Sequence, residues 1–275
     1  MAKVWIYVLG ASGDPDRVCC EVPWLVDEKL IFFGPCKKRI RKCLRTKFLG
    51  PDCSHTRVTE DLFIIGVNAL KKVKKRKIVW WGRLSEVMTF AEAHKRLNED
   101  GRFEKLCKYK CSPLHVKPVE VAGKLVGYEH ASELHKGEEW IDDLLSKWPN
   151  PNVLLEEQKL RVQQGTSWEV FDRDCCMLLE NRFFALGKAI QPGIEFDEKA
   201  LDILREAQPN KSRIDDPAIF GREKGKGDII GLRGQFLELP NNLTNRFVAW
   251  LEGRLPEGAK HQRSDGYGPA KTCCT

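Results

Sequence analysis

Three charged side chains stand in a row, Asp172, Arg173 and Asp174, inside a stretch that is otherwise apolar (Phe171, Cys175 to Leu179, Phe183, Phe184). Side chains alternate along a strand, so Asp172 and Asp174 would share one face and Arg173 take the other. Two carboxylates in a partly buried cleft can divide the work of base and electrostatic stabiliser, which is what a developing sugar cation requires. The same residues also have a structural use, in which Arg173 pairs with a neighbouring acid or an Asp caps a following helix.

A second chemistry lies upstream. Residues 37–77 hold fourteen basic side chains (Lys37, Lys38, Arg39, Arg41, Lys42, Arg45, Lys47, Arg57, Lys71, Lys72, Lys74, Lys75, Arg76, Lys77) against Asp52, Glu60 and Asp61. That segment is +11 within a chain of net charge +7, so the remainder is −4. Seven of the cations fall in residues 37–47 with no acid among them. Such a run cannot neutralise itself and is costly to bury, so it is expected to face water or a polyanion. Neutralising phosphates releases counterions, and Trp80, Trp81 and Phe48 are placed to stack on unpaired bases. A solvated cationic loop is the plainer alternative.

Other chemistries lose support. Cys107-x3-Cys111-x3-His115 and the set Cys36, Cys43, Cys53 and His55 lack the paired spacing of a zinc site, and no metal or cofactor is expected. No serine sits in a nucleophile elbow, and Gly225-Lys226-Gly227-Asp228 lacks the phosphate-loop pattern. The 11 cysteines in 275 residues are odd in number and scattered, which points to a reducing, cytoplasmic compartment. No apolar run reaches the roughly 18 residues of a membrane span.

The elements that must position these groups read as α+β. Strands are expected at Lys3–Leu9, Leu30–Phe33, Leu62–Val67 and Ile78–Leu84, the last two forming a hairpin with a lysine-rich tip. Thr89 and Glu92 make a capping box for a helix over 90–99. Residues 107–150 give a mixed signal, with a strand at Leu125–Tyr128 and a helix near 138–147. Asp197 caps a helix to about Gln208, a strand runs from Asp228 to Leu237, and Asn242–Glu252 is a helix stopped by Gly253. Residues 1–254 read as one elaborated domain and 255–275 as a disordered tail.

In order, the chain runs through an N-terminal strand, Cys36-Lys37-Lys38-Arg39-Ile40-Arg41, Asp61-Leu62-Phe63-Ile64-Ile65-Gly66, Lys77-Ile78-Val79-Trp80-Trp81, Met88-Thr89-Phe90-Ala91-Glu92, Phe171-Asp172-Arg173-Asp174 and Asn181-Arg182-Phe183-Phe184-Ala185-Leu186-Gly187. This order resembles the nucleotide modification associated domain families, small proteins of bacteria and phages found with DNA hypermodification systems. The likeness covers residues 3–187. It departs after the first strand, where Gly13-Asp14-Pro15 replaces an aromatic, glycine-rich Asn-Pro motif.

The resemblance implies a PUA-like frame, a compact mixed or antiparallel β-barrel or sheet with flanking helices, and a partner in DNA carrying modified bases. The matching polar positions are Arg41, Asp172, Arg173, Asp174 and Arg182. A flipped, hypermodified base would be excised by glycosylase chemistry in antiphage defence. In that scheme Asp172 or Asp174 stabilises the sugar cation, Arg173 or Arg41 steadies the leaving base, and Trp168 or Phe184 stacks on it. Lys37, Lys38, Arg39, Lys42, Arg45, Lys47, Lys71, Lys72, Lys74, Lys75, Arg76 and Lys77 would hold the backbone. The alternative is a reader without chemistry that recruits modification or restriction enzymes; a third is a protein whose basic face binds an acidic protein.

Overall fold

The computed structural model describes residues 2–9, 23–34, 37–50, 53–68, 77–99, 116–121, 124–130, 175–185, 193–207 and 236–255. Its strands are β1 (Lys3–Val8), β2 (Trp24–Asp27), β3 (Leu30–Phe33), β4 (His55–Arg57), β5 (Leu62–Val67), β6 (Lys77–Thr89), β7 (Val116–Val121), β8 (Lys124–His130), β9 (Cys175–Phe184), β10 (Ile194–Glu195) and β11 (Leu237–Glu238). The α-helices are α1 (Lys38–Leu44), α2 (Phe90–Glu99), α3 (Glu198–Ala207) and α4 (Asn241–Glu252), and a π-helical turn (Arg45–Leu49) continues α1. The fold is therefore mixed α+β. The helix expected near 138–147, the tail 255–275 beyond its first residue, and residues 228–235 of the last expected strand lie outside the described residues.

Nine strands form one open mixed sheet in the order β11-β1-β5-β6-β9-β3-β2, with β4 and β10 added on β6, and β7 and β8 pair separately. The described strands do not close into a barrel. β6 is the axis of the sheet. Residues 80–83 of β6 lie against both β5 and β9, which must flank opposite edges. β4 and β9 likewise share the stretch 86–88, so β4 continues the β5 side. At 13 residues β6 outruns the expected strand, because register shifts at Trp81/Gly82 and Leu84/Glu86 let it bend without ending. Only β1 and β5 run parallel; every other pairing among the described strands is antiparallel.

Both faces of the sheet are covered, which explains why its strands are rich in unbroken apolar runs rather than a clean alternation. On one side Val4, Ile6, Phe63, Ile65 and Trp81 pack against Leu201 and Leu204 of α3 and Phe247 and Trp250 of α4. On the other, Tyr7, Phe33, Leu62, Ile64, Trp80 and Met177 pack against Ile40 and Leu44 of α1 and Phe90 and Ala93 of α2, with Val116 and Tyr128 of the β7–β8 hairpin. The adjacent tryptophans Trp80 and Trp81 are both fully buried and serve opposite cores. They are thereby withdrawn from any stacking on bases.

Candidate nucleic-acid interface

The sheet brings the described edges of two distant basic stretches, Lys37 and the Asn68–Lys77 pair, to one end. β1 and β5 are parallel, so Val8 and Val67 pair at a shared C-terminal end, and Val67 in turn faces Ile78 at the start of β6. Asn68 and Lys77 close the hairpin there: the Asn68 amide donates to the Lys77 carbonyl at 3.1 Å, and the Lys77 amide donates to Asn68 Oδ1 at 2.6 Å. The chain between them carries Lys71, Lys72, Lys74, Lys75 and Arg76, whose own placement lies outside the described residues. α1 begins at the same end. Lys37 Nζ donates to the Val8 carbonyl at 3.1 Å and stands 5.1 Å over the Tyr7 ring. Beneath it, Tyr7, Phe33 and Trp80 meet with ring centroids 5.7 to 5.9 Å apart, and Trp80 Nε1 donates to the Tyr7 hydroxyl at 3.2 Å. Lys37 adopts a left-handed backbone, φ 63°, as the residue before the helix. That is uncommon for a residue with a Cβ, and the two contacts of its ammonium group hold it there.

Not all seven cations of residues 37–47 face outward. Lys37, Arg41 and Arg45 recur every four residues, so they form one stripe of the helix together with Ile40 and Leu44, and that stripe faces the sheet. Arg41 is 2% exposed and Arg45 7%. The expectation that the whole run meets solvent is corrected by this geometry. Arg41 escapes the burial penalty because Nη1 donates to the Cys175 carbonyl at 3.2 Å while its guanidinium packs 5.7 Å from the Phe90 ring centre. Arg39 is exposed, Lys42 is half-buried, and exposed Lys47 is committed to Glu60. Lys77 pairs with Glu195 at 2.8 Å. Lys38 belongs to α1, but its side chain lies outside the described set.

The residues expected to form a base pocket are divided along β9. Trp168, Asp172, Arg173 and Asp174 lie outside the described residues. Cys175, which follows the acidic block in sequence, opens β9 at the Arg41 end. Arg182 lies seven residues further along the strand, a separation of roughly 20 Å at the rise of a β-strand. There it extends a ladder of alternating charge: Arg83 Nε meets Asp61 at 2.8 Å, Arg83 Nη1 meets Glu180 at 3.2 Å, and Arg182 Nη2 meets Glu180 at 3.1 Å. Hydrogen bonding to Asp61 raises the Arg83 guanidinium above its ordinary range. Phe184 is 2% exposed within the core and presents no open face to a base. Arg41 is thus the one expected pocket residue among those described that stands where the acidic block enters the sheet.

In the sequence His55 reads only as a metal ligand. In the structure it joins Glu86 instead, and no group of three or more metal-ligating side chains occurs among the described residues. Cys175 and Cys176 are buried. No helix among the described residues is long and apolar enough to cross a membrane. No protein-family model matches the chain, and neither the curated proteins nor the solved structures contain a significant match. Fold and site together define an α+β protein built on an open mixed sheet, with Lys37 and the Asn68–Lys77 closure at one end of its β1–β5 pair.

Proposed function

We propose that the chain binds nucleic acid, with DNA carrying modified bases as its natural form, and that it flips such a base and excises it as a glycosylase. The observation that carries the proposal is that Lys37, which opens one basic stretch, and the Asn68–Lys77 closure, which bounds the other, stand at one end of the β1–β5 pair. Phosphates would run along Arg39, Lys42 and the lysine-rich hairpin tip. The base would be tested at the β9 entrance by Arg41 and the Asp172-Arg173-Asp174 block, with Trp168 as stacking partner. The PUA-like frame expected of a base reader would be built here from the open mixed sheet and its flanking helices. A reader without chemistry is favoured by one finding: Arg182 and Phe184 stand away from the Arg41 end, which leaves the excision scheme fewer contributors.

Unmodified, hydroxymethylated and glucosylated phage DNA, incubated with the protein and then treated with alkali, separates these outcomes. Strand breaks on one modified substrate, abolished in Asp172→Asn and Asp174→Asn with DNA binding retained, are expected of the glycosylase. Selective retention without breaks identifies the reader. Replacing Arg39, Lys42, Lys71, Lys72 and Lys74 by Gln is expected to weaken duplex binding and to flatten the plot of log affinity against log salt by about 0.9 for each phosphate no longer neutralised. An unchanged slope refutes the placement of the backbone.

A further inference from the structure

His55, Glu86 and Arg57 form a second cluster, on the other side of β6 from the start of β9, with His55 and Cys176 both paired to Met88. β4 pairs with the far half of β6, with His55 opposite Met88 and Arg57 opposite Glu86. His55 and Arg57 are two residues apart on a strand, so they share a face, about 7 Å apart along it. Thr56 between them points the other way and donates to the Phe48 carbonyl at 3.0 Å. His55 Nε2 lies 2.6 Å from Glu86 Oε2. A carboxylate only accepts, so the imidazole donates from Nε2, and in the neutral tautomer that does so the lone pair stands on Nδ1. Nδ1 makes no hydrogen bond to any described residue, and the side chain is 27% exposed. Arg96 of α2 fixes the carboxylate from above, donating to Glu86 Oε2 at 3.3 Å while its Nε lies 3.6 Å from Glu92. Arg57 is exposed and its side chain makes no ion pair or hydrogen bond to any described residue. An oriented imidazole base with an open nitrogen, beside an uncommitted guanidinium, is an arrangement for a phosphodiester.

We propose that His55, oriented by Glu86, is a general base that cleaves RNA by internal transphosphorylation, with Arg57 on the scissile phosphate. The proposal rests on the nucleic-acid half of the reading above and not on base excision. RNA is the substrate such a dyad suits, because the nucleophile is already held next to the phosphorus and needs only to lose its proton. His55 Nδ1 takes the proton of the 2′-hydroxyl, the 2′ oxygen bonds to phosphorus, and the bond from phosphorus to the 5′ oxygen breaks. The departing 5′ oxygen takes a proton from solvent, and His55 returns its own to solvent. The products are a 2′,3′-cyclic phosphate and a 5′-hydroxyl. Glu86 is a positioning residue that also stabilises the imidazolium.

The test uses the full chain with a labelled RNA oligonucleotide, a DNA of the same sequence and a 2′-O-methyl RNA, each assayed for binding and for cleavage. Cyclic phosphate ends are expected from RNA alone. His55→Gln is expected to slow cleavage at least ~100-fold. Glu86→Gln is expected to slow it about tenfold through kcat with KM unchanged, and Glu86→Asp to restore most of the rate, which a merely structural role would not do. Arg57→Gln, whose side chain supports no described neighbour, is expected to raise KM and lower kcat, and it keeps the test sound if His55→Gln melts early. Bound but intact RNA, or wild-type cleavage by folded His55→Gln, overturns the proposal and spares the nucleic-acid reading. Failure of all three polymers to bind overturns both.

Discussion

Gly66 on β5 and Trp80 on β6 are register partners, and the indole occupies the space where a side chain at 66 would stand. A Cβ built on Gly66 would lie 1.9 Å from Trp80 Nε1 and 2.4 Å from Cδ1. Neither atom can yield easily, since Trp80 is fully buried and its Nε1 bonds the Tyr7 hydroxyl. Gly66→Ala is therefore expected to destabilise the fold by about 2 to 4 kcal/mol, read as a lower urea midpoint at unchanged slope. A shift below about 0.5 kcal/mol would show that the indole is not wedged there. Counting cations correctly marks residues 37–47, yet nothing in the composition distinguishes Arg41 and Arg45, which go inward, from Arg39, which does not. The distinction arises from helical phase and from a carbonyl at Cys175 that only the tertiary structure supplies.

At the scale of elements, Thr89 ends β6 and caps α2 with no loop between. Its hydroxyl accepts from the Glu92 amide at 3.1 Å, the first half of the capping box read in the sequence. Thr89→Ala is expected to cost about 1 kcal/mol, measured by thermal or urea unfolding, and Thr89→Ser to restore most of it. The cap of α3 is equally legible, with Asp197 Oδ1 accepting from the Ala200 amide at 3.0 Å. α1 is not legible. It has no acidic first turn and no side-chain cap, it spans seven residues, and its sequence is mostly cationic. Its stability comes from Ile40 and Leu44 against the sheet and from the contacts of Lys37 and Arg41, which no local pattern encodes. β4, at three residues, is too short to carry a period and exists because β6 extends far enough to pair with it. The dyad proposed at His55 is hidden for the same reason: Glu86 lies 31 residues away, on the part of β6 that runs past the strand expected from periodicity.

At the scale of the molecule, two cores share one sheet, and the last described segments complete one of them. Leu243, Phe247, Trp250 and Leu251 of α4 cover Val4, Ile6 and Ile65, and Trp250 stacks on Phe196 with centroids 6.0 Å apart. Burial of each such side chain is worth about 1.5 to 3 kcal/mol, so removing them together takes away about as much as the whole stability of an ordinary domain. A chain ended at residue 235 is expected to have no cooperative unfolding transition and to bind a hydrophobic dye. A sharp transition in that truncated chain would show that the α1 side folds alone.

The α+β class, the strands β1, β3, β5 and the first half of β6, and the caps of α2 and α3 are legible in the order of residues alone, because these rest on local periodicity and on side chains that bond their own backbone. So is the place where positive charge concentrates. Strand order and register bring Lys37 to the end where Asn68 and Lys77 meet, turn Arg41 inward while Arg182 stands at the other end of β9, and join His55 to Glu86. Each of those depends on strand order and register between residues far apart in the chain, which hydrophobic patterning along one segment does not specify.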